Sequence, residues 1–115
     1  MTEILFLLRS SLDVRETSGR YCPDCALIEG VLAYHPALRQ ALDIRYVDFA
    51  RPRQAIVDLI GAAEQGCPML LVAPHLVPTG SNVTGGFGVI AETKAILDHF
   101  TAHHGAGQTL LGSMF

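Results

Sequence analysis

The stretch Cys22-Pro23-Asp24-Cys25 begins a helical pattern, and the apolar run Ile4–Leu8 precedes it in the chain. That run has the length of a strand and is apolar throughout, as in strands that are covered on both faces of a sheet. After Pro23, apolar residues recur at steps of three and four, and proline is favourable in a first helical turn. The two cysteines are therefore predicted at the junction between a first strand and a first helix.

The rest of the chain continues this alternation of strands and helices. The His35-Pro36 step is expected to end or kink the first helix. Strands are predicted at residues 44–49 and 69–72, with a possible short strand at 75–77, and helices are predicted after Arg51-Pro52 and over 89–103. Loops are predicted at 9–21 and 78–88. This order predicts one small α/β domain over residues 1–104, with a first βαβ unit that crosses over right-handed, and a tail over 105–115.

The composition limits the chain to one modest domain. Its 115 residues are half apolar and 17% charged, with a formal net charge of −3. These values indicate neither a disordered tail nor a basic surface for nucleic acid. The apolar runs are far shorter than the ~20 residues of a spanning helix, and the first residues are not the basic opening of a secretory signal. We therefore expect a cytoplasmic protein that binds neither nucleic acid nor membranes.

The three cysteines, Cys22, Cys25 and Cys67, are the residues most typical of chemistry. In a reducing compartment, an odd count with one C-x-x-C pair indicates catalysis or metal binding rather than a structural disulfide. Free backbone N–H groups at a helix start favour a thiolate, which is the form that attacks disulfides. Arg20 also favours the Cys22 thiolate and Asp24 disfavours it, so the two charges modulate Cys22 in opposite directions.

The order of motifs resembles the thioredoxin and glutaredoxin superfamily. The C-x-x-C pair stands at the first strand-to-helix turn, Cys67-Pro68 directly precedes the third strand, and Gly85-Gly86 precedes the last helix. More narrowly, Tyr21-Cys22-Pro23-Asp24-Cys25 and Tyr46-Val47-Asp48-Phe49 look like a small bacterial thioredoxin-like family catalogued as a domain of unknown function. The resemblance implies a thioredoxin-like fold, with a central mixed four-stranded sheet flanked by helices.

The resemblance also implies roles for individual residues. Cys22 matches the attacking nucleophile, and Cys25 matches the resolving thiol one turn further along the helix. Pro68 matches the superfamily's cis-proline, whose preceding residue, here Cys67, pairs its backbone with an extended substrate. Gly85 and Gly86 are expected to form the turn before the last helix, where their amides can hold a carboxylate of a bound peptide.

Three functions follow from these residues as hypotheses. The first is thiol-disulfide exchange with a protein or small-molecule thiol or disulfide, which requires no bound cofactor. The second is a metal or iron-sulfur site built from Cys22, Cys25 and Cys67, which needs a fourth ligand from elsewhere. The third is a non-catalytic interaction domain that keeps the fold without turnover.

Two features near the end of the sequence carry weaker predictions. His99 and His103 lie one turn apart on the last helix, a spacing that can hold a metal. We expect instead that they belong, with Asp98 and His104, to a solvated face near the helix C-terminus, where cationic histidine is favourable. The tail is apolar and is expected to pack on its own domain or on a second copy in a homodimer, through Leu110, Leu111, Met114 and Phe115.

Overall fold

A computed structural model of the chain describes residues 1–9, 20–77 and 82–108. The described elements, in chain order, are β1 (Ile4–Leu8), α1 (Pro23–Tyr34), α2 (Pro36–Ala41), β2 (Asp43–Val47), α3 (Gln54–Ile60), β3 (Met69–Val72), a short 3-10 helix (Pro74–Leu76), β4 (Val83–Thr84), β5 (Phe87–Ile90) and α4 (Thr93–His104). The predicted bounds of β1 and β3 and the predicted helix start at Pro23 are confirmed. The helix also divides at His35-Pro36, where the side chain of His35 makes no capping hydrogen bond to α2.

The five described strands form one mixed sheet in the order β2-β1-β3-β5-β4. β1 pairs with β2 in parallel, and the remaining neighbours are antiparallel. The prediction of four strands is therefore wrong, although the α/β class and the parallel first βαβ unit are confirmed. The possible strand at 75–77 is also wrong, because Pro74 begins a 3-10 helix there.

The fifth strand arises from a hairpin within the segment predicted as a loop. Gly85 and Gly86 join β4 to β5, and both have positive φ, 60° and 83°. Two positive φ values are what a tight two-residue hairpin turn needs, because its twist then matches that of the strands. The two glycines therefore do not form the turn before α4, as predicted, but one strand earlier.

The core lies on both faces of the sheet, because side chains alternate along each strand. On one face, Leu5 and Leu7 of β1 pack with Ile28 and Leu32 of α1 and with Phe100 of α4. On the other face, the buried residues of β1, β2, β3 and β5 pack against α3; they include Ile4, Phe6, Val47, Met69, Leu71 and Val89, with Ile56 and Ile60 of the helix. β1 is therefore covered on both faces, as its continuous apolar sequence predicts.

This packing brings three chain segments together at one end of the sheet. Phe6 of β1 pairs with Met69 of β3 in antiparallel register, so the residues before β3 approach the end of β1. The start of α1 reaches the same place, since Cys25 in its first turn belongs to the core cluster of Leu7 and Leu70. The thiol residues on α1 and before β3 consequently meet there.

Several predictions fall on residues that the structure does not describe. They include most of the loop at 9–21 and the apolar tail residues Leu110, Leu111, Met114 and Phe115. Up to residue 108 the tail is described, and Ala106 is buried in the core with its N–H bonded to the oxygen of Phe100. Among the described residues, no helix combines the length and apolar character needed to cross a bilayer.

Candidate functional site

Cys22 occupies the N-cap of α1, the last extended residue before the helix, with φ −76° and ψ 113°. Its Sγ accepts a hydrogen bond of 3.2 Å from the backbone N–H of Cys25. This N–H is one of the helix donors that lack an intrahelical partner, and a thiolate is a better acceptor for it than a thiol. Since Cys22 is also partly exposed, its sulfur combines access to solvent with a donor aimed at it.

Cys25 lies one turn further along α1 and is buried, with 4% of its surface exposed. Its Sγ accepts a hydrogen bond of 3.5 Å from the backbone N–H of Leu8, at the end of β1. Burial raises the pKa of Cys25 far above its ordinary value, and a side-chain hydrogen bond to Cys22 raises it further. Cys25 is therefore a protonated thiol at neutral pH, held beside the more accessible sulfur of Cys22.

Cys67 approaches the same place from the segment before β3. The Sγ of Cys22 lies 4.0 Å from the backbone oxygen of Cys67, and the Cys67–Pro68 peptide bond is cis. Burial raises the pKa of the Cys67 thiol to about 11, while the positive charge of Arg53 acts in the opposite direction. Cys67 is therefore also protonated at neutral pH, and its backbone oxygen lies near the Sγ of Cys22.

Arg53 is a buried cation that the sequence did not reveal. Its guanidinium donates to the backbone oxygens of Gln65 and Phe49, at 2.7 Å and 2.9 Å. The backbone N–H of Arg53 donates to the side-chain oxygen of Gln65. These partners are all neutral, and Nε has no partner among the described protein atoms. A guanidinium held by neutral oxygens keeps its full charge close to Cys67.

The other predicted site residues separate into two groups. Pro23 occupies the first turn of α1, Asp24 follows it, and both are exposed, as is Arg20 before the helix. These three residues adjoin Cys22 in the chain. Gly85 and Gly86 lie far from the thiols. They directly precede β5, whose Gly88 pairs with Val72 at the far end of β3, whereas Cys67 precedes the start of β3. The structure therefore does not bring Gly85 and Gly86 to the thiols.

The histidines of α4 differ from their predicted role. His99 is buried with 6% exposure and is bonded to the buried carboxylate of Glu3, so it does not belong to a solvated face. His104 contacts the same carboxylate, and only His103 is exposed. Sequence spacing alone pairs His99 with His103, because Glu3 is distant in the chain and its approach depends on the fold. The prediction of a solvated face is wrong for His99.

Metal-binding side chains gather at Glu3, His99 and His104 in the described part of the chain. Their ligand atoms lie within 4.8 Å of one another. The three thiols do not form such a group among these residues. The thiol site and this cluster lie at opposite ends of β1, since Leu8 contacts Cys25 while Glu3 directly precedes Ile4.

A family model described as "Protein of unknown function (DUF3088)" matches residues 2–108. The chain therefore belongs to this family, which confirms the predicted match to a family catalogued as a domain of unknown function. Neither a curated protein nor a solved structure gives a significant match to the chain.

Proposed function

We propose that this member of the DUF3088 family is a thioredoxin-like thiol-disulfide oxidoreductase in which Cys22 attacks and Cys25 resolves. The observation that carries the proposal is the pairing of a partly exposed N-cap sulfur with a buried, protonated sulfur one turn later. Residues at positions i and i+3 of a helix are roughly 5 to 6 Å apart, which suits a disulfide. The pair is thus arranged to alternate between a dithiol and a ring-closing disulfide.

The architecture supports the thioredoxin-like part of the proposal. The four longer strands β2, β1, β3 and β5 form a mixed sheet with helices on both faces, as the resemblance implies, and β4 adds a short strand at one edge. The C-x-x-C pair stands at the first strand-to-helix junction, and Cys67-Pro68 lies beside it.

The proposed exchange takes place in two steps. The Cys22 thiolate attacks one sulfur of a substrate disulfide, forming a mixed disulfide and releasing the other substrate sulfur, which takes up a proton. Cys25 then loses its proton and attacks the sulfur of Cys22, so the second substrate thiol leaves and the enzyme keeps a Cys22–Cys25 disulfide. The substrate gains two electrons and two protons, and an external dithiol returns the enzyme to its reduced form.

Cys67 has a binding role rather than a redox role in this proposal. Its thiol is protonated, with a pKa of about 11, whereas its backbone oxygen lies 4.0 Å from the Sγ of Cys22. An extended substrate that donates an N–H to this oxygen would have its disulfide close to the nucleophile.

The thiol-bound metal or iron-sulfur alternative gains no specific support from the described residues. Metal sites of that kind need four ligands at about 2.0–2.3 Å, and so need donor atoms close together. The group of donors that does lie close together contains no sulfur. The non-catalytic alternative differs from the proposal in one measurable respect, because a non-catalytic domain would not turn over a disulfide substrate.

The test combines thiol counting with trapping of the mixed disulfide. In mild oxidant the reduced protein should lose two thiols reversibly, and the Cys67→Ser variant should do the same. Cys25→Ser should instead accumulate a covalent adduct at Cys22 with an aromatic disulfide or with a disulfide-bonded protein, and Cys22→Ser should form none. Mass spectrometry of the intact protein measures each species.

Three outcomes would count against the proposal. The first is that no internal disulfide forms, and the second is an adduct of equal yield in Cys22→Ser. The third is that the internal disulfide forms, but the wild type with a dithiol reductant reduces neither the aromatic disulfide nor the disulfide-bonded protein. This third outcome would favour a non-catalytic domain.

A further inference from the structure

The buried carboxylate of Glu3 is the meeting point of two imidazoles from α4. The Nε2 of His99 lies 2.9 Å from Oε2 and 3.1 Å from Oε1, and the Nε2 of His104 lies 2.7 Å from Oε1. Glu3 is 8% exposed and His99 6%, so the cluster is shielded from solvent except at His104. The same nitrogen of both rings therefore points at one carboxylate.

The buried carboxylate of Glu3 requires compensating charge or hydrogen-bond donors. An ionised carboxylate is expensive to bury unless cations or several donors compensate it. The described ion pairs of Glu3 are to His99 and His104, and none is to lysine or arginine. The neighbouring charges on α4 are occupied elsewhere, since Lys94 bonds to Asp98 at 2.7 Å. Two neutral imidazoles would supply hydrogen bonds but no positive charge.

We propose that Glu3, His99 and His104 form a binding site for a divalent transition-metal ion such as Zn²⁺. A metal ion between the three side chains would supply positive charge beside the Glu3 carboxylate and would take the place of the protons on the two Nε2 atoms. Each ring would then hold its proton on Nδ1, because only an unprotonated Nε2 binds a metal. Imidazole and carboxylate ligands together suit zinc and its neighbours, and a site with one carboxylate and two histidines leaves a fourth position for water.

The present spacing is close to that of a zinc site. Ligand atoms at 2.0–2.2 Å from a tetrahedral ion lie about 3.3–3.6 Å from one another. The contacts of 2.7 to 3.1 Å would have to open by about 0.2 to 0.9 Å. The ring of His103 lies tilted against that of His99, with centroids 4.4 Å apart, but His103 contributes no ligand atom to the cluster.

The site is independent of the thiols and has a mechanical consequence. Glu3 and Leu8 are separated by the length of β1, roughly 16 Å at 3.3 Å per residue. A metal bound to Glu3, His99 and His104 would therefore fasten the start of β1 to the last turns of α4. Because Glu3, His99 and His104 come together only in the folded chain, an ion held by all three would stabilise the fold by mass action.

The test uses the full chain, reduced with a phosphine so that no added thiol competes for the ion. Zn²⁺ is titrated while the imidazole nitrogens are followed by long-range ¹H–¹⁵N NMR. With one equivalent, we expect the Nε2 signals of His99 and His104 to move to positions typical of metal ligands. We also expect Zn²⁺ to raise the melting temperature.

Matched variants separate the cluster from its neighbour on the helix. His104→Gln should weaken Zn²⁺ binding at least tenfold and remove most of the thermal shift, whereas His103→Gln should keep both. The proposal is overturned if the two variants weaken binding equally, or if one equivalent of Zn²⁺ leaves both Nε2 signals in place. Zn²⁺ bound by the cysteine sulfurs alone would also leave both Nε2 signals in place. If His104→Gln does not fold, the imidazole spectra of the wild type still decide the question.

Discussion

The backbone N–H of Leu8 donates a hydrogen bond to the Sγ of Cys25, which ties the last residue of β1 to the first turn of α1. The sulfur is thus an acceptor for a strand as well as a member of the core. Because the Cys25 N–H in turn donates to the Sγ of Cys22, a chain of contacts links β1 to the accessible sulfur. The position of the thiol pair is therefore set by the sheet and not by the helix alone.

The three thiols should differ in their rates of alkylation. Cys25 and Cys67 are protonated at neutral pH, because burial raises the pKa of both, whereas Cys22 is partly exposed at a helix start. Iodoacetamide at near-neutral pH should therefore modify Cys22 first, at least tenfold faster than either other thiol. Peptide mapping by mass spectrometry measures the three rates, and equal rates at Cys22 and Cys67 would contradict this reading of the site.

Cys22 should also matter for stability as a helix cap. Its Sγ accepts the Cys25 N–H, and serine at the same position offers a hydroxyl that is a favoured N-cap acceptor. Cys22→Ser should leave the free energy of unfolding within about 0.5 kcal/mol of the wild type, whereas Cys22→Ala should lower it by about 1 kcal/mol. Urea unfolding of the reduced proteins measures both. An alanine variant as stable as the wild type would show that the cap contributes nothing.

The parts of this fold that the sequence predicts are those set by local signals. A continuous apolar run is typical of a strand with two covered faces, and β1 has the predicted bounds, Ile4–Leu8. Pro23 marks the start of α1 for a similarly local reason, since proline lacks the N–H that a first turn leaves unpaired. The placement of Cys22 at the helix start follows from these two signals.

The parts that the sequence did not predict depend on contacts between distant segments. β4 has only two residues, too few for a detectable alternation, so the sequence pattern places Gly85 and Gly86 in the wrong turn. Burial of Arg53 depends on Gln65 and Phe49, which come from two different loops. Likewise, nothing in the sequence of α4 indicates that His99 reaches Glu3 at the start of β1.

Cys67 should make the protein less stable in alkali. Folding raises the pKa of this thiol from 9.0 to about 11, so on raising the pH the unfolded chain loses the proton first. The contribution to stability is therefore complete below about pH 9 and is lost progressively towards pH 11. Between these values the unfolding free energy should fall more steeply for the wild type than for Cys67→Ala. Parallel curves for the two proteins would show that Cys67 titrates alike in both states.

Arg53 should act on Cys67 through its charge. Among the charges near Cys67, Arg53 lowers the pKa most and Arg51 less. Arg53→Met should therefore move the alkylation profile of Cys67 to higher pH, and the exposed control Arg51→Met should move it less. The first variant should also lose about 2 kcal/mol or more of unfolding free energy, since the buried backbone oxygen of Gln65 and the partly buried one of Phe49 lose their donors.

Equal shifts of the Cys67 profile in the two variants would contradict this assignment to Arg53. If Gln65→Ala shifts the alkylation profile of Cys67 as much as Arg53→Met does, the cause is altered packing and not the lost charge. Gln65→Ala removes the side-chain oxygen that accepts from the backbone N–H of Arg53, and it leaves the guanidinium charge in place.

The two hairpin glycines should respond differently to alanine. Both have positive φ, so each substitution carries the backbone strain of a left-handed residue, about 1–2 kcal/mol. At Gly85, however, an added Cβ would lie 2.1 Å from the backbone oxygen of Leu59, whereas Gly86 has open space. Gly85→Ala should therefore destabilise the fold by at least ~2 kcal/mol more than Gly86→Ala, because the hairpin must move away from α3. Urea unfolding of both variants measures this difference, and equal losses of stability would show that the hairpin does not pack against α3 as described.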